Sequence, residues 1–140
     1  MVDQLLGNWK LVSSDNFDEF MKVTKVNLVL RKIGNSISNC IEISRDGETW
    51  TIHITSTFRN QKLIFKLGET IDEKTLDGRH CKSTFSVEGK VLVQKQDPTD
   101  PSDVPSRFQY EVQEDGKLLV TCISIPTNVV AKRTYERYNP

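Results

Sequence analysis

The chain has no apolar run approaching the ~20 residues that span a bilayer, so nothing in it reads as a transmembrane helix. It has no excess charge of either sign: 19 Lys and Arg stand against 19 Asp and Glu. A balanced chain presents no global field to nucleic acid or to an anionic membrane, and any such attraction has to come from a local patch. The N-terminus lacks the basic-then-apolar pattern with a small-residue cleavage site that marks a secretion signal. Cysteine is scarce and odd in number: Cys40, Cys81 and Cys122 lie far apart with no CxxC spacing. That pattern favours reduced thiols in a cytosolic compartment over a disulfide framework. With only His53 and His80 beside them, these cysteines do not make a zinc set. There is no nucleophile–base pair at informative spacing and no glycine-rich phosphate loop, hence no ground for an enzyme or a bound cofactor.

What is present is regular punctuation. Asp46-Gly47, Asp77-Gly78, Glu88-Gly89 and Asp115-Gly116 each lie between alternating runs, which is the hairpin signal. Trp50, Ile52, Ile54, Ser56 and Phe58 alternate with Thr51, His53, Thr55 and Thr57, and Leu63, Phe65 and Leu67 with Lys62, Ile64 and Lys66. Period-two alternation over successive hairpins means one wet face and one covered face. Ten strands are expected, at 5–14, 38–45, 48–57, 60–67, 69–75, 79–87, 90–97, 106–114, 117–125 and 129–137. A sheet of that many strands curls or closes, and closure removes the edges that template aggregation. The 140 residues have no internal repeat and no linker and are read as one domain.

Two helical segments interrupt the strands, at about 16–24 and 27–35. Asn16 is the expected N-cap of the first, with Asp18 and Glu19 where the helix dipole favours acids. Phe17, Phe20 and Met21 make one apolar stripe, and Gly34-Asn35 is the expected end of the second segment. Residues 97–105 carry three prolines, which excludes them from a central strand and makes them a loop. Arg133 and Tyr135 share a face of the last strand with Val129 and Ala131. If that face is inward, Arg133 needs water, an acid or an anionic ligand, because a buried unpaired charge is very unfavourable. If it is outward, Arg133 is an ordinary solvated strand residue.

The string Gly7-Asn8-Trp9-Lys10-Leu11, followed by Asp15-Asn16-Phe17-Asp18-Glu19-Phe20-Met21-Lys22, resembles the signature of the cytosolic fatty-acid-binding proteins, the intracellular lipid-binding family. Ala131-Lys132-Arg133-Thr134-Tyr135-Glu136-Arg137 resembles that family's last strand, so the likeness runs from end to end. The resemblance implies an all-β fold, a ten-stranded antiparallel up-and-down β-barrel or β-clam of calycin type with a two-helix lid at about 16–35. It implies a hollow interior lined by Phe17, Met21, Ile41, Ile54, Leu63, Phe65 and Leu76; Phe58 resembles the family's portal aromatic, and the alternative is an ordinary inward residue of the barrel lining. Arg133 and Tyr135 match the R-x-Y pair that holds the fatty-acid carboxylate in the family, and Asp77 matches a portal turn. Asn39 stands where the family often has proline, and the loop at 97–105 looks longer than the usual turn by about four residues, within the range loops tolerate.

Many members carry a second inward Arg four residues ahead of the Asp-Gly hairpin. Counting back from Asp115 places Glu111 there, whereas one extra residue in the turn places Tyr110 there. An inward Glu111 would pair with Arg133 and leave less positive charge for a carboxylate. The implied function is an intracellular, monomeric carrier of long-chain fatty acids, cytoplasmic and also nuclear, that delivers them to membranes or enzymes. Alternatives are a carrier of a retinoid, bile acid or sterol-like acid, supported by Glu111, and a membrane-docking structural member, which the balanced charge opposes. Lys22, Arg31 and Lys32 are similar to basic positions that some members use for membrane contact or nuclear import; otherwise they are a solvated face.

Overall fold

The computed structural model describes residues 2–140. Its strands are β1 (Gly7–Asp15), β2 (Cys40–Asp46), β3 (Thr49–Thr55), β4 (Gln61–Lys66), β5 (Thr70–Lys74), β6 (His80–Glu88), β7 (Val91–Pro98), β8 (Ser106–Val112), β9 (Leu118–Ser124) and β10 (Val130–Arg137). They form one antiparallel sheet in the order β4-β3-β2-β1-β10-β9-β8-β7-β6-β5. Because β1 pairs with both β2 and β10, the meander wraps into a nearly closed barrel whose ends, β4 and β5, share no ladder. The expected ten-stranded up-and-down barrel with two helices is therefore the observed architecture. The Asp46-Gly47 and Glu88-Gly89 signals become two-residue hairpin loops, with Gly47 and Gly89 at φ 60° and 64°, a region glycine enters without steric cost.

One end of the barrel is solid. Trp50, Phe65 and Phe85 stack in series, with ring centroids 6.3 Å and 3.7 Å apart. Each such pair adds about 0.5–1.5 kcal/mol beyond its area burial. Residues Val2–Leu5 form a 3-10 turn beneath them, where a strand was expected to begin at residue 5. Leu5 is fully buried, and its carbonyl accepts from the Trp9 indole N–H at 2.9 Å, so the turn plugs this end. Arg137 covers Trp9 from outside, with its guanidinium 4.2 Å from the ring.

The helices α1 (Phe17–Val23) and α2 (Leu28–Ser36) lie over the other end. Two local expectations need correction. Asn16 precedes α1 but sits in the left-handed region at φ 62° and makes no capping bond; its amide donates to the Val130 carbonyl at 3.0 Å and fastens the helix to β10. Asn27 is the true cap of α2, accepting from the Leu30 N–H at 3.0 Å. Gly34 does not end α2, which runs on to Ser36. It lets the helices approach: a Cβ there would lie 2.8 Å from Met21 Sδ. The proline-rich loop after β7 is also anchored, since Lys25 between the helices donates through Nζ to the Ser102 carbonyl at 2.7 Å.

Candidate functional site: the barrel interior

Large apolar side chains fill the closed end, but toward the helices the inward positions become Gln, Ser, Thr and Arg, which do not close a core. A cavity of about 230 Å³, measured to water centres, remains between the walls and the lid. At ~30 Å³ per water in the liquid this is room for roughly eight waters, more than a packing defect. Phe17, Met21, Ile41, Ile54, Phe58, Leu63, Leu76, Arg133 and Tyr135 all line it.

Arg133 faces inward and is 7% exposed. Its guanidinium lies 4.0 Å from the centre of the Phe17 ring, its Nε has no hydrogen-bond partner, and it makes no ion pair among the described residues. Tyr135, two residues on and also inward, donates through its hydroxyl to Asn39 Oδ1 at 2.8 Å. Burial pushes the Tyr135 phenol up to about 12, with the Arg133 charge pulling the other way, so it stays a neutral donor at physiological pH. Burial likewise pushes the adjacent Cys122 thiol up to about 12. The site is a cation without an acid, flanked by a phenol, at the wall of an apolar chamber.

Two expected members lie elsewhere. Phe65 belongs to the solid end, stacked between Trp50 and Phe85, because it sits one hairpin step too deep to reach the cavity. Glu111 faces outward, with Oε2 3.5 Å from Lys90 Nζ, and does not pair with Arg133. The five-residue segment 113–117 between β8 and β9, closed by the Gln113 N–H to Lys117 carbonyl bond at 2.8 Å, sets a register with Tyr110 opposite Val120 and Glu111 opposite Leu119. Tyr110 takes the inward place, buried and opposite Val120. Burial drives its phenol far above the usual tyrosine range, so Tyr110 offers no compensating charge.

A family model described as "Lipocalin / cytosolic fatty-acid binding protein family" matches residues 6–136. The chain belongs to this family. It is 42% identical over 137 residues to mouse fatty acid-binding protein 12, covering 98% of this chain and 99% of that one. It is 38% identical over 137 residues to the sodium/calcium exchanger regulatory protein 1 of the squid Doryteuthis pealeii, covering 98% of each. A Schistosoma mansoni fatty acid binding protein in complex with arachidonic acid superposes with a TM-score of 0.90 at 35% identity, covering 99% of this chain and 98% of that chain. The family is one of lipid-binding carriers, not of enzymes.

In this fatty-acid-binding family member the rim of the cavity is tied together by side chains. Phe58 is 39% exposed, with the Arg59 guanidinium 4.5 Å from its ring centre. Arg59 also donates to the Leu76 carbonyl at 2.6 Å, joining the β3–β4 and β5–β6 turns. Asp77 forms a 2.7 Å ion pair with Arg79 and accepts from the Thr75 hydroxyl at 2.7 Å. Burial works to raise the Asp77 carboxyl, but the Arg79 and Thr75 hydrogen bonds and the Arg79 charge outweigh it and hold it below the usual range. On the lid, Arg31 is not part of an open basic patch. It pairs with Asp18 at 3.3 Å and donates to the Val26 carbonyl at 3.2 Å, pinning α2 to α1. Lys22 and Lys32 remain exposed, beside Leu28 at 55% and Val29 at 68% exposure.

One group on the cavity wall has no counterpart among the expected residues. Glu73, 6% exposed, accepts from Gln61 Nε2 at 2.8 Å, Ser83 Oγ at 2.6 Å, Gln94 Nε2 at 2.9 Å and Gln96 Nε2 at 3.2 Å. A carboxylate is tolerated at such depth only when its lone pairs are satisfied in this way. Gln61 also donates to the Lys74 carbonyl at 2.9 Å, so the cluster bridges the unpaired β4–β5 gap. Gln94 and Gln96, two apart on a strand that also carries Val93 and Lys95, were the available signal for an inward polar pair.

Proposed function

We propose that this chain binds one long-chain fatty acid inside the barrel, its carboxylate on Arg133 and Tyr135, and carries it to membranes or enzymes. The observation that carries this reading is Arg133 itself: buried, inward, and without an acid of its own. Energetically the two ends of the ligand do different work. A tail of ~15 methylenes at ~0.8 kcal/mol each gives about 12 kcal/mol gross, and association consumes much of it. A charge-assisted hydrogen bond to Arg133 adds about 1.5–3 kcal/mol. The tail sets affinity; the arginine sets orientation and head-group choice. With Glu111 outside the barrel, the retinoid, bile-acid and sterol reading loses the residue that supported it.

Entry and exit run past Phe58 and the helices, which ring the open end of the cavity. Delivery by brief contact with a bilayer uses Lys22 and Lys32 for charge and Leu28 and Val29 for insertion. That cavity, anchor and rim come from a single chain supports a monomeric carrier, and membership of the cytosolic fatty-acid binding family supports work in the cytoplasm. Displacement of a fluorescent fatty-acid analogue by oleate tests the reading. Saturable displacement below tens of micromolar, the weak end of specific affinity, is the expected result. Failure of oleate to displace the probe there overturns it.

A further inference from the structure

Inward side chains Ser83, Gln96, Ser106 and Ser124 stand directly opposite one another on β6, β7, β8 and β9, forming a continuous polar rung. All are buried, at 0%, 4%, 1% and 0% exposure. Gln96 Oε1, Ser106 Oγ and Ser124 Oγ have no hydrogen-bond partner among the described residues. Leaving a buried polar atom unsatisfied is costly, and of the three only the Gln96 acceptor belongs to a residue of the cavity wall, where a ligand can meet it. Gln96 lines the cavity, together with the Glu73 and Gln61 side chains it meets there.

The unused capacity has a definite character. Gln96 Oε1 is an acceptor, and Glu73 Oε2 accepts only from Gln61 although a carboxylate oxygen has two lone-pair sites. A carboxylate ligand would be repelled here by Glu73. A cation gains little, because four donors already converge on that acid. The group that fits is a neutral donor. Arg133 lies three strands away on β10, opposite Val120, so one extended ligand reaches both places. We propose that the Gln96–Glu73 corner is a second polar subsite, which takes the hydroxyl of a chain-hydroxylated fatty acid whose carboxylate is held at Arg133. The hydroxyl donates to Gln96 Oε1, the acceptor left without a partner.

This rests on the fatty-acid reading above, and the test separates the two. Stearate and a series of hydroxystearates, with the hydroxyl moved along the chain, compete for the same fluorescent fatty-acid probe in the full chain. Wild type is expected to bind one positional isomer about fivefold or more tighter than stearate, the size of one net hydrogen bond. Gln96→Met, which keeps the side-chain length and loses the amide, is expected to abolish that preference, read as the ratio of hydroxystearate to stearate affinity within the variant so that any general change in binding cancels. If stearate binds and every isomer in wild type binds no better, the rung holds only water and the subsite is refuted while the carrier reading stands. A preference that persists in Gln96→Met also refutes the subsite. If neither stearate nor any isomer displaces the probe, both readings fall. The positional series in wild type decides the matter even if the variant does not fold.

Discussion

Replacing Arg133 by methionine removes the guanidinium and keeps the apolar stem against Phe17. Two opposing terms set the effect on the empty protein. Burying the guanidinium with Nε unpartnered costs about 1–3 kcal/mol, as for other unsatisfied buried groups. Its stacking on Phe17 at 4.0 Å returns about 0.5–2 kcal/mol. The first term is a lower bound because the group is charged, so urea unfolding of the ligand-free variant is expected to show stability equal to or above that of wild type. Binding responds differently. Loss of a charge-assisted hydrogen bond of about 1.5–3 kcal/mol weakens oleate roughly 12- to 150-fold. Oleyl alcohol, with the same tail and no charge, is expected to weaken less than oleate, by roughly 3- to 10-fold, since a neutral partner forfeits a bond about half as strong. Displacement titrations with both ligands on both proteins read the comparison directly. Destabilisation of the empty variant by about 3–5 kcal/mol, the signature of a broken buried ion pair, would refute the description of Arg133 as a cation without an acid. Unchanged oleate affinity would refute its role as the anchor.

Lys25→Ala cuts the bond from the lid to the Ser102 carbonyl. It is expected to speed fatty-acid release in stopped-flow transfer with little change in unfolding midpoint, and an unchanged release rate would show that the loop does not restrain the lid. Asp77, whose folded-state carboxyl is held below its ordinary value, contributes stability that is present above about pH 4 and lost as pH falls through the folded value. Asp77→Asn should therefore lower stability at neutral pH and flatten the acid limb of a pH–stability curve, and an acid limb of wild-type steepness would contradict this.

The barrel was legible because glycine-marked turns and period-two alternation report the same hairpins, as at Asp46-Gly47 and Glu88-Gly89. The plug at Val2–Leu5 was not, since four residues of 3-10 helix carry no periodicity and Leu5 continues the apolar pattern of the strand. Arg133 and Tyr135 stood out as polar residues on an apolar face. Glu111 misled because one residue in the β8–β9 turn reverses every side chain before it, and only the hydrogen bonds of segment 113–117 settle that count. Glu73 escaped notice because β5 is five residues long and Ile71 is the one apolar residue on the face that Glu73 shares, too little to mark it as inward beside Asp72 and Lys74. Its environment arises from Gln61, Ser83, Gln94 and Gln96, which are brought together by the fold alone.

The most direct test of the central claim, a fatty-acid carboxylate held inside on Arg133, is a pH titration of carboxyl-¹³C-labelled oleate bound to the protein, followed by NMR. A nearby cation and hydrogen-bond donors favour the ionised head, so the bound resonance is expected to stay at its carboxylate position down to about pH 4 or below, under the ordinary carboxyl range. In Arg133→Met the same resonance should titrate at higher pH. A wild-type signal that titrates like a solvent-exposed carboxyl, with no change in Arg133→Met, would contradict the account.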